Sequence, residues 1–176
     1  MTERIIIAGS GGQGIMLLGK ILAEAGMREN KYVTWLPSYG AEVRGGTAHC
    51  AVIISDVEIG SPYIDKADTL IIMNQPSWEK FKNRIKNKGL LLINSSLVLR
   101  CTNRNAHVSK YPFSGIAVNL GNIRVANVVA LGCFIAKKKI MGLESIQKSI
   151  LAIAGEDKKG LVEINMCALE EGVRLK

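Results

Sequence analysis

The stretch RIIIAGSGGQGIMLLGKILAEAG, residues 4–26, limits the fold more than any other part of the sequence. Ile5, Ile6, Ile7 and Ala8 form the short apolar run of a strand buried on both faces. Gly9-Ser10-Gly11-Gly12-Gln13-Gly14 follows, and then a helical pattern places Ile15, Leu18, Leu22 and Ala25 on one side. A strand, a glycine-rich turn and a helix N-terminus together make an anion site, because amide groups point outward and the helix dipole favours negative charge. Gly9, Gly11 and Gly14 also satisfy the G-x-G-x-x-G spacing of dinucleotide sites. Such sites need an acidic residue at the end of the second strand to hold a ribose. The second strand, residues 32–35, runs into Leu36-Pro37-Ser38 with no carboxylate; Glu29 comes before it and Glu42 well after. The turn therefore predicts a phosphate site that is poorly suited to NAD.

At 176 residues the chain can bury a real core as one domain, spanning 1–176. The longest apolar stretch, residues 125–136, contains Asn127 and is too short to cross a bilayer. The first four residues lead straight into the first strand, with no secretory pattern, so the expectation is a soluble cytoplasmic protein with no membrane association. Cys50, Cys101, Cys133 and Cys167 lie far apart with no C-x-x-C pair, which predicts scattered thiols rather than disulfides, a zinc site or a cluster. His49 and His107 have no second histidine or carboxylate at metal spacing and read as structural. Net charge is +8, with basic runs at 80–88 and 137–139 that read as solvated helix faces and ends and would also attract acidic or polyphosphate partners. Aromatic residues are 5% and are not interleaved with these runs, which argues against nucleic acid.

Further along, residues 47–55 read as a strand, with 57–59 as its short antiparallel mate. Residues 69–73 form a buried strand ending at Asn74. Pro76 suits a first helical turn, 77–88 continues helical, and Gly89 closes that helix. Residues 90–93 make another buried strand, ending at Asn94-Ser95-Ser96. A weak strand near 106–109 precedes Pro112. A long helix begins at Gly121 or Asn122 and runs to 137–139, and two more cover 143–154 and 161–171. The alternation predicts an α/β fold: a Rossmann-like, mostly parallel sheet with helices on both faces. Four predicted strand ends carry small or amide residues, and ligands of such sheets bind at the carboxyl ends.

The motifs GSGGQGIMLLGKILAEAG, PSYGAEVRGGTAHCAVIIS, SPYIDKADTLIIMNQ, LLLINSSL and AVNLGNIRVANVVALG, in that order from Ile5 to Gly132, resemble the gamma subunit or domain of 2-oxoacid:ferredoxin oxidoreductases. S-Y-G-x-E-x-R-G-G is the most specific of these motifs and the glycine turn the least. The resemblance implies oxidative decarboxylation of a 2-oxoacid to an acyl-coenzyme A, with electrons passed to ferredoxin. It places thiamine diphosphate, magnesium and iron–sulfur clusters on the alpha, beta and ferredoxin-like delta partners, and makes this chain a non-catalytic subunit. It further implies that the chain helps hold coenzyme A: Gly9, Ser10, Gly11, Gly12, Gln13 and Gly14 on the pyrophosphate, with Ser38, Arg44, Gly45 and Gly46 beside them. Asn74, Asn94 and Ser95 would serve the adenosine or pantetheine arm. A free-standing short chain favours the 2-oxoglutarate type, with pyruvate, branched-chain and indolepyruvate enzymes open.

Each assignment has a rival in the residues themselves. The glycines could serve packing alone, Arg44 could pair with Glu42 or a partner chain, and Asn74 and Ser95 could cap the elements that follow. Ser38 lacks a nucleophile elbow, which argues against hydrolase chemistry. A stand-alone NAD(P)-dependent oxidoreductase and a purely structural assembly subunit are the alternative functions. A homodimer of the isolated chain is a further expectation, since an interface meant for other subunits would be bare.

Overall fold

The computed structural model describes residues 1–38, 47–154 and 159–175. The first strand, β1 (Thr2–Ser10), turns through the glycines into α1 (Ile15–Arg28). Then come β2 (Tyr32–Ser38), β3 (Thr47–Ser55), β4 (Ala67–Ile72), α2 (Gln75–Phe81), β5 (Ile85–Asn94) and β6 (His107–Tyr111). The C-terminal part is helical: α3 (Phe113–Asn119), a single 3-10 turn at Ile123–Val125, α4 (Ala126–Lys138), α5 (Leu143–Ala154) and α6 (Lys159–Arg174).

The strands form one sheet in the order β2-β3-β1-β4-β5-β6. The pairs β1–β4, β4–β5 and β5–β6 are parallel, whereas β3 runs antiparallel to both β1 and β2. The expected mostly parallel α/β sheet is thus present, with one reversed strand beside β1. Only eight residues separate β2 from β3, fewer than a crossover to a parallel neighbour needs, so the two strands pair antiparallel. Two cores flank the sheet. The larger has Ile5, Ile7, Ile54, Ile71 and Leu92 facing α1 and α3 to α6; the smaller has Ile6, Ala8, Ile53, Leu70 and Ile93 under Trp78 and Phe81 of α2. The alternation of β1 residues between the cores is the period of two acting on a strand covered on both faces.

Three sequence expectations change. The helix expected over 77–88 stops at Phe81, and Ile85 already begins β5. Ile85 is the one buried apolar residue in the run 82–88, so nothing would hold a further turn of helix to the sheet. Lys86 instead bonds Asp68 of β4 at 2.5 Å, and Gly89 lies inside the strand rather than closing a helix. A Cβ there would come within 3.0 Å of the Asp68 carbonyl, so glycine permits the close strand approach. Residues 57–59 form no strand. Their loop is pinned by Arg84, whose guanidinium donates to the Ile64 and Asp65 carbonyls. The long helix expected from 121 or 122 is broken into the 3-10 turn and α4, and α3 has no counterpart among the expected elements.

At the far end of the sheet from the glycine turn, Glu3 is 6% exposed; it accepts from Thr69 Oγ1 at 2.6 Å and from Lys138 Nζ at 2.9 Å. Lys138 closes α4, so this pair ties the last turn of α4 to β1. The carboxylate is the more deeply buried partner, and a buried charge that loses its counter-ion costs more than an exposed one. We expect Lys138→Met to destabilise by about 2 kcal/mol, roughly 4–8 °C in Tm, and by more than Glu3→Gln. Thermal unfolding of the two variants checks the order, and equal effects would contradict the burial argument.

Candidate functional site

The carboxyl ends of β1, β2, β4, β5 and β6 lie along one rim, joined there by the start of β3, whose Thr47 pairs with Ser10. At the centre is the glycine turn. Gly12 has φ +87° and Gly14, the N-cap of α1, has φ +69°; both need glycine. The Gln13 side chain folds back to close the turn, accepting from the Ser10 amide at 2.8 Å and donating to the Met73 carbonyl at 3.3 Å. Gln13 therefore ties β1 to the end of β4. Gly9 makes room for it, since a Cβ there would lie 2.6 Å from Gln13 Oε1. Gly11 and Gly12, by contrast, are exposed, and a Cβ at either meets nothing within 4 Å. Their amides and that of Gly14 donate to no acceptor among the described residues. The first turn of α1 adds its own unbonded N–H groups. The turn is therefore open and rich in donors, the arrangement that binds an anion.

The remaining residues expected at the site divide by position. Asn94 is fully buried and holds the rim together: Nδ2 donates to the Met73 carbonyl at 3.1 Å and to Ser114 Oγ at 2.8 Å, and Oδ1 accepts from the Ser114 amide. Asn74 caps α2, accepting from the Ser77 amide at 3.0 Å. Ser95 is half-buried and donates its amide to the Tyr111 carbonyl, joining β5 to β6. Ser38 closes β2 opposite His49. Arg44, Gly45 and Gly46 lie outside the described residues.

Several residues at the site carry no expectation from the sequence. Asn127, 1% exposed on α4, donates to the Gly14 carbonyl at 3.0 Å and so latches the start of α1. A Cβ on Gly14 would come within 2.3 Å of its Nδ2. Ser114, anchored by Asn94, and Arg124, in the 3-10 turn, line a cleft of about 150 Å³ with Gly12, Gln13 and Met73. Lys80, which the sequence places in the basic run expected to attract polyphosphate, donates to Thr47 Oγ1 at 3.0 Å and so sets a cation beside β1. The motif AVNLGNIRVANVVALG contains Arg124 and Asn127; what the sequence does not reveal is that α4 returns to the glycine turn.

Beside Lys80, the His49 ring packs on Phe81 with centroids 4.8 Å apart, and its Nδ1 is buried without a partner among the described residues. Burial, and then the charges of Lys80 and Arg84, hold its pKa below the ordinary 6.5. The unfolded chain therefore binds the proton more readily, so stability falls as pH drops below about 6.5. Denaturant unfolding at pH 7.5 and 5.5 should lose less stability in His49→Gln than in the parent. An equal loss would contradict this.

The cysteines Cys50, Cys101 and Cys133 are buried, Cys167 is exposed, and all four are free. Burial pushes the Cys50 thiol up to about 12 and Cys133 to about 11, so neither is a nucleophile at neutral pH. No three His, Cys, Asp or Glu residues converge among the described residues. There is also no helix among them long and apolar enough to cross a membrane.

Residues 4–175 match the pyruvate ferredoxin/flavodoxin oxidoreductase family. The chain belongs to this family. Within it, the ketoisovalerate oxidoreductase subunit VorA of Methanothermobacter marburgensis is 37% identical over 96% of this chain. This chain spans about a third (35%) of that protein. The 2-oxoglutarate synthase subunit KorC of Methanocaldococcus jannaschii is 36% identical, over 98% of this chain and 92% of its own length. Among solved structures, the keto/oxoacid ferredoxin oxidoreductase gamma subunit of Geobacter sulfurreducens superposes with a TM-score of 0.83 at 31% identity, covering 97% of this chain and 95% of its own. The fold also recurs, with a TM-score of 0.90 at 22% identity, in a 2-oxoglutarate:ferredoxin oxidoreductase from Magnetococcus marinus whose structure contains 2-oxoglutarate, coenzyme A and succinyl-CoA; 99% of this chain matches 31% of that one. The correspondence with gamma-type members of the family thus runs nearly end to end.

Proposed function

We propose that this chain is the gamma subunit of a thiamine-diphosphate-dependent 2-oxoacid:ferredoxin oxidoreductase and helps hold coenzyme A while partner chains carry the redox chemistry. The observation that carries this reading is the open glycine turn at the carboxyl rim of a gamma-type fold, where the amides of Gly11, Gly12 and Gly14 donate to no acceptor among the described residues. In this reading Gly11, Gly12, Gly14 and the first turn of α1 receive the diphosphate, and Gln13 and Asn127 hold the turn in shape. Ser38, Arg44, Gly45 and Gly46 would border the same ligand. Asn74, Asn94 and Ser95 would shape the region of its adenosine or pantetheine arm, Asn94 by orienting Ser114. Thiamine diphosphate, magnesium and the iron–sulfur clusters are assigned to alpha, beta and delta partners, as the resemblance to the gamma subunits implies. The 2-oxoglutarate type is favoured because the KorC relative is matched over almost its whole length.

Sheet order argues against a nicotinamide dinucleotide. A ribose clamp sits at the end of the strand next to β1, but here β3 intervenes and β2 lies two strand spacings away, roughly 10 Å. No carboxylate lies on β2.

The test is native co-purification with a tagged chain. Thiamine-dependent alpha and beta chains should come down with it, and the complex should reduce ferredoxin with 2-oxoglutarate only when coenzyme A is added. Recovery of the chain alone, with NADPH-linked activity of its own, would overturn the reading.

A further inference from the structure

The cleft between the glycine turn and the 3-10 turn before α4 is built from two unrelated parts of the chain. Gly12 and Gln13 form one wall, and Ser114, Ile123, Arg124 and Ala126 the other. At about 150 Å³ it is smaller than the pockets that enclose whole ligands. It has room for one group of a larger molecule whose remainder lies along the rim. Its chemistry identifies that group.

Ser114 is 6% exposed, and its Oγ accepts from Asn94 Nδ2 at 2.8 Å. The hydroxyl proton is left without an acceptor among the described residues, on a side chain that lines the cleft. The Gly12 amide is likewise undonated. The Arg124 guanidinium makes no hydrogen bond or ion pair among the described residues, although its own backbone is fixed by Asn122 Oδ1 accepting from the Arg124 amide at 3.0 Å. A backbone amide, a nearly buried hydroxyl and an arginine therefore border one small space, and no carboxylate lines it. Donors without acceptors, one of them a permanent cation, call for a phosphate-type anion. Asn127 keeps the two walls in register by bonding the Gly14 carbonyl from α4.

We propose that this cleft is a phosphate subsite in which Arg124 is the counter-charge and Ser114 the neutral donor, distinct from the amides of α1. The inference rests on the reading that the rim holds coenzyme A, and it places one of that molecule's phosphates between the glycine turn and Arg124. The flanking Leu97 and Ile123, 43% and 59% exposed, would lie against the ligand's apolar parts.

The test measures coenzyme A affinity by titration calorimetry for the native complex carrying the parent sequence, Arg124→Gln or Arg124→Lys, and repeats it with 3′-dephospho-coenzyme A. The expected result is a loss of about tenfold or more in Arg124→Gln, partly restored in Arg124→Lys, with a salt dependence that weakens when the charge is removed. If the loss disappears with the dephospho form, the subsite holds the 3′-phosphate; if it persists, the diphosphate. Parent and Arg124→Gln complexes that bind equally would overturn this inference and leave the coenzyme A reading intact. A parent complex that does not bind coenzyme A would overturn both. Melting temperatures of the variants should match the parent, because Arg124 is exposed and supports no other side chain.

Discussion

Gly132→Ala and Gly172→Ala are each expected to destabilise the chain by about 3 kcal/mol or more, enough to lower Tm by roughly 6–12 °C or to prevent soluble expression. The reason is the crossing of α4 and α6. A Cβ on Gly132 would lie 2.2 Å from the Leu169 carbonyl oxygen and 3.0 Å from Gly172 Cα. A Cβ on Gly172 would lie 2.1 Å from the Val129 carbonyl oxygen. The two helices touch backbone to backbone, and no rotamer change can relieve an intrusion into a main-chain atom. To admit one methyl group α6 must move away, uncovering Ala168 and Leu169, both fully buried. Gly160, near the start of α6, is the control: a Cβ there meets nothing within 4 Å. Gly160→Ala should leave stability unchanged or raise it by about 0.5 kcal/mol through the unfolded chain. Thermal or urea unfolding of the three variants checks the contrast. Similar values for all three would mean that α4 and α6 are not packed in this way.

The second large effect concerns binding. Gly11→Val should leave unfolding within about 0.5 kcal/mol of the parent, because Gly11 is exposed, a Cβ there meets nothing within 4 Å, and its φ lies outside the left-handed region. The same substitution places a branched side chain beside the amides that would receive a phosphate, so coenzyme A affinity should fall by about tenfold or more. Gly14→Ala behaves differently. Its φ of +69° and the 2.3 Å approach to Asn127 Nδ2 make it a folding defect first. Affinity and unfolding measured together on both variants separate the roles of two neighbouring glycines. A Gly11→Val chain with parental affinity would show that no ligand group reaches the turn.

The strands buried on both faces were legible because their apolar runs are continuous and bounded by turns, as in Ile5 to Ala8 and residues 90–93. The glycine turn was legible for a different reason: three closely spaced glycines between a strand and a helix have few other uses. The sequence does not reveal that β3 is reversed, because its alternation is the same whichever way it pairs. It does not reveal α3 either. That helix is seven residues long, contains Gly115, and is held by Asn94 and by Ser96 Oγ accepting from the Gly115 amide, contacts that exist only after folding. The basic run 82–88 misleads for the opposite reason: lysines at helical spacing imply a helix, yet the sheet draws Ile85 and Lys86 into β5. At the site, the strand-end amides were identifiable as a group, but their individual tasks depend on neighbours. Asn94 turns inward to position Ser114, and Asn127, distant in sequence, turns out to support Gly14.

The most direct test of the central claim is a calorimetric titration of the native complex, and of the full chain alone, with coenzyme A, NADH and NADPH. The account predicts saturable binding of coenzyme A, one molecule per gamma chain in the complex, weakened by Gly11→Val and Arg124→Gln, and no heat from either nicotinamide. Binding of NADPH with none of coenzyme A would contradict it.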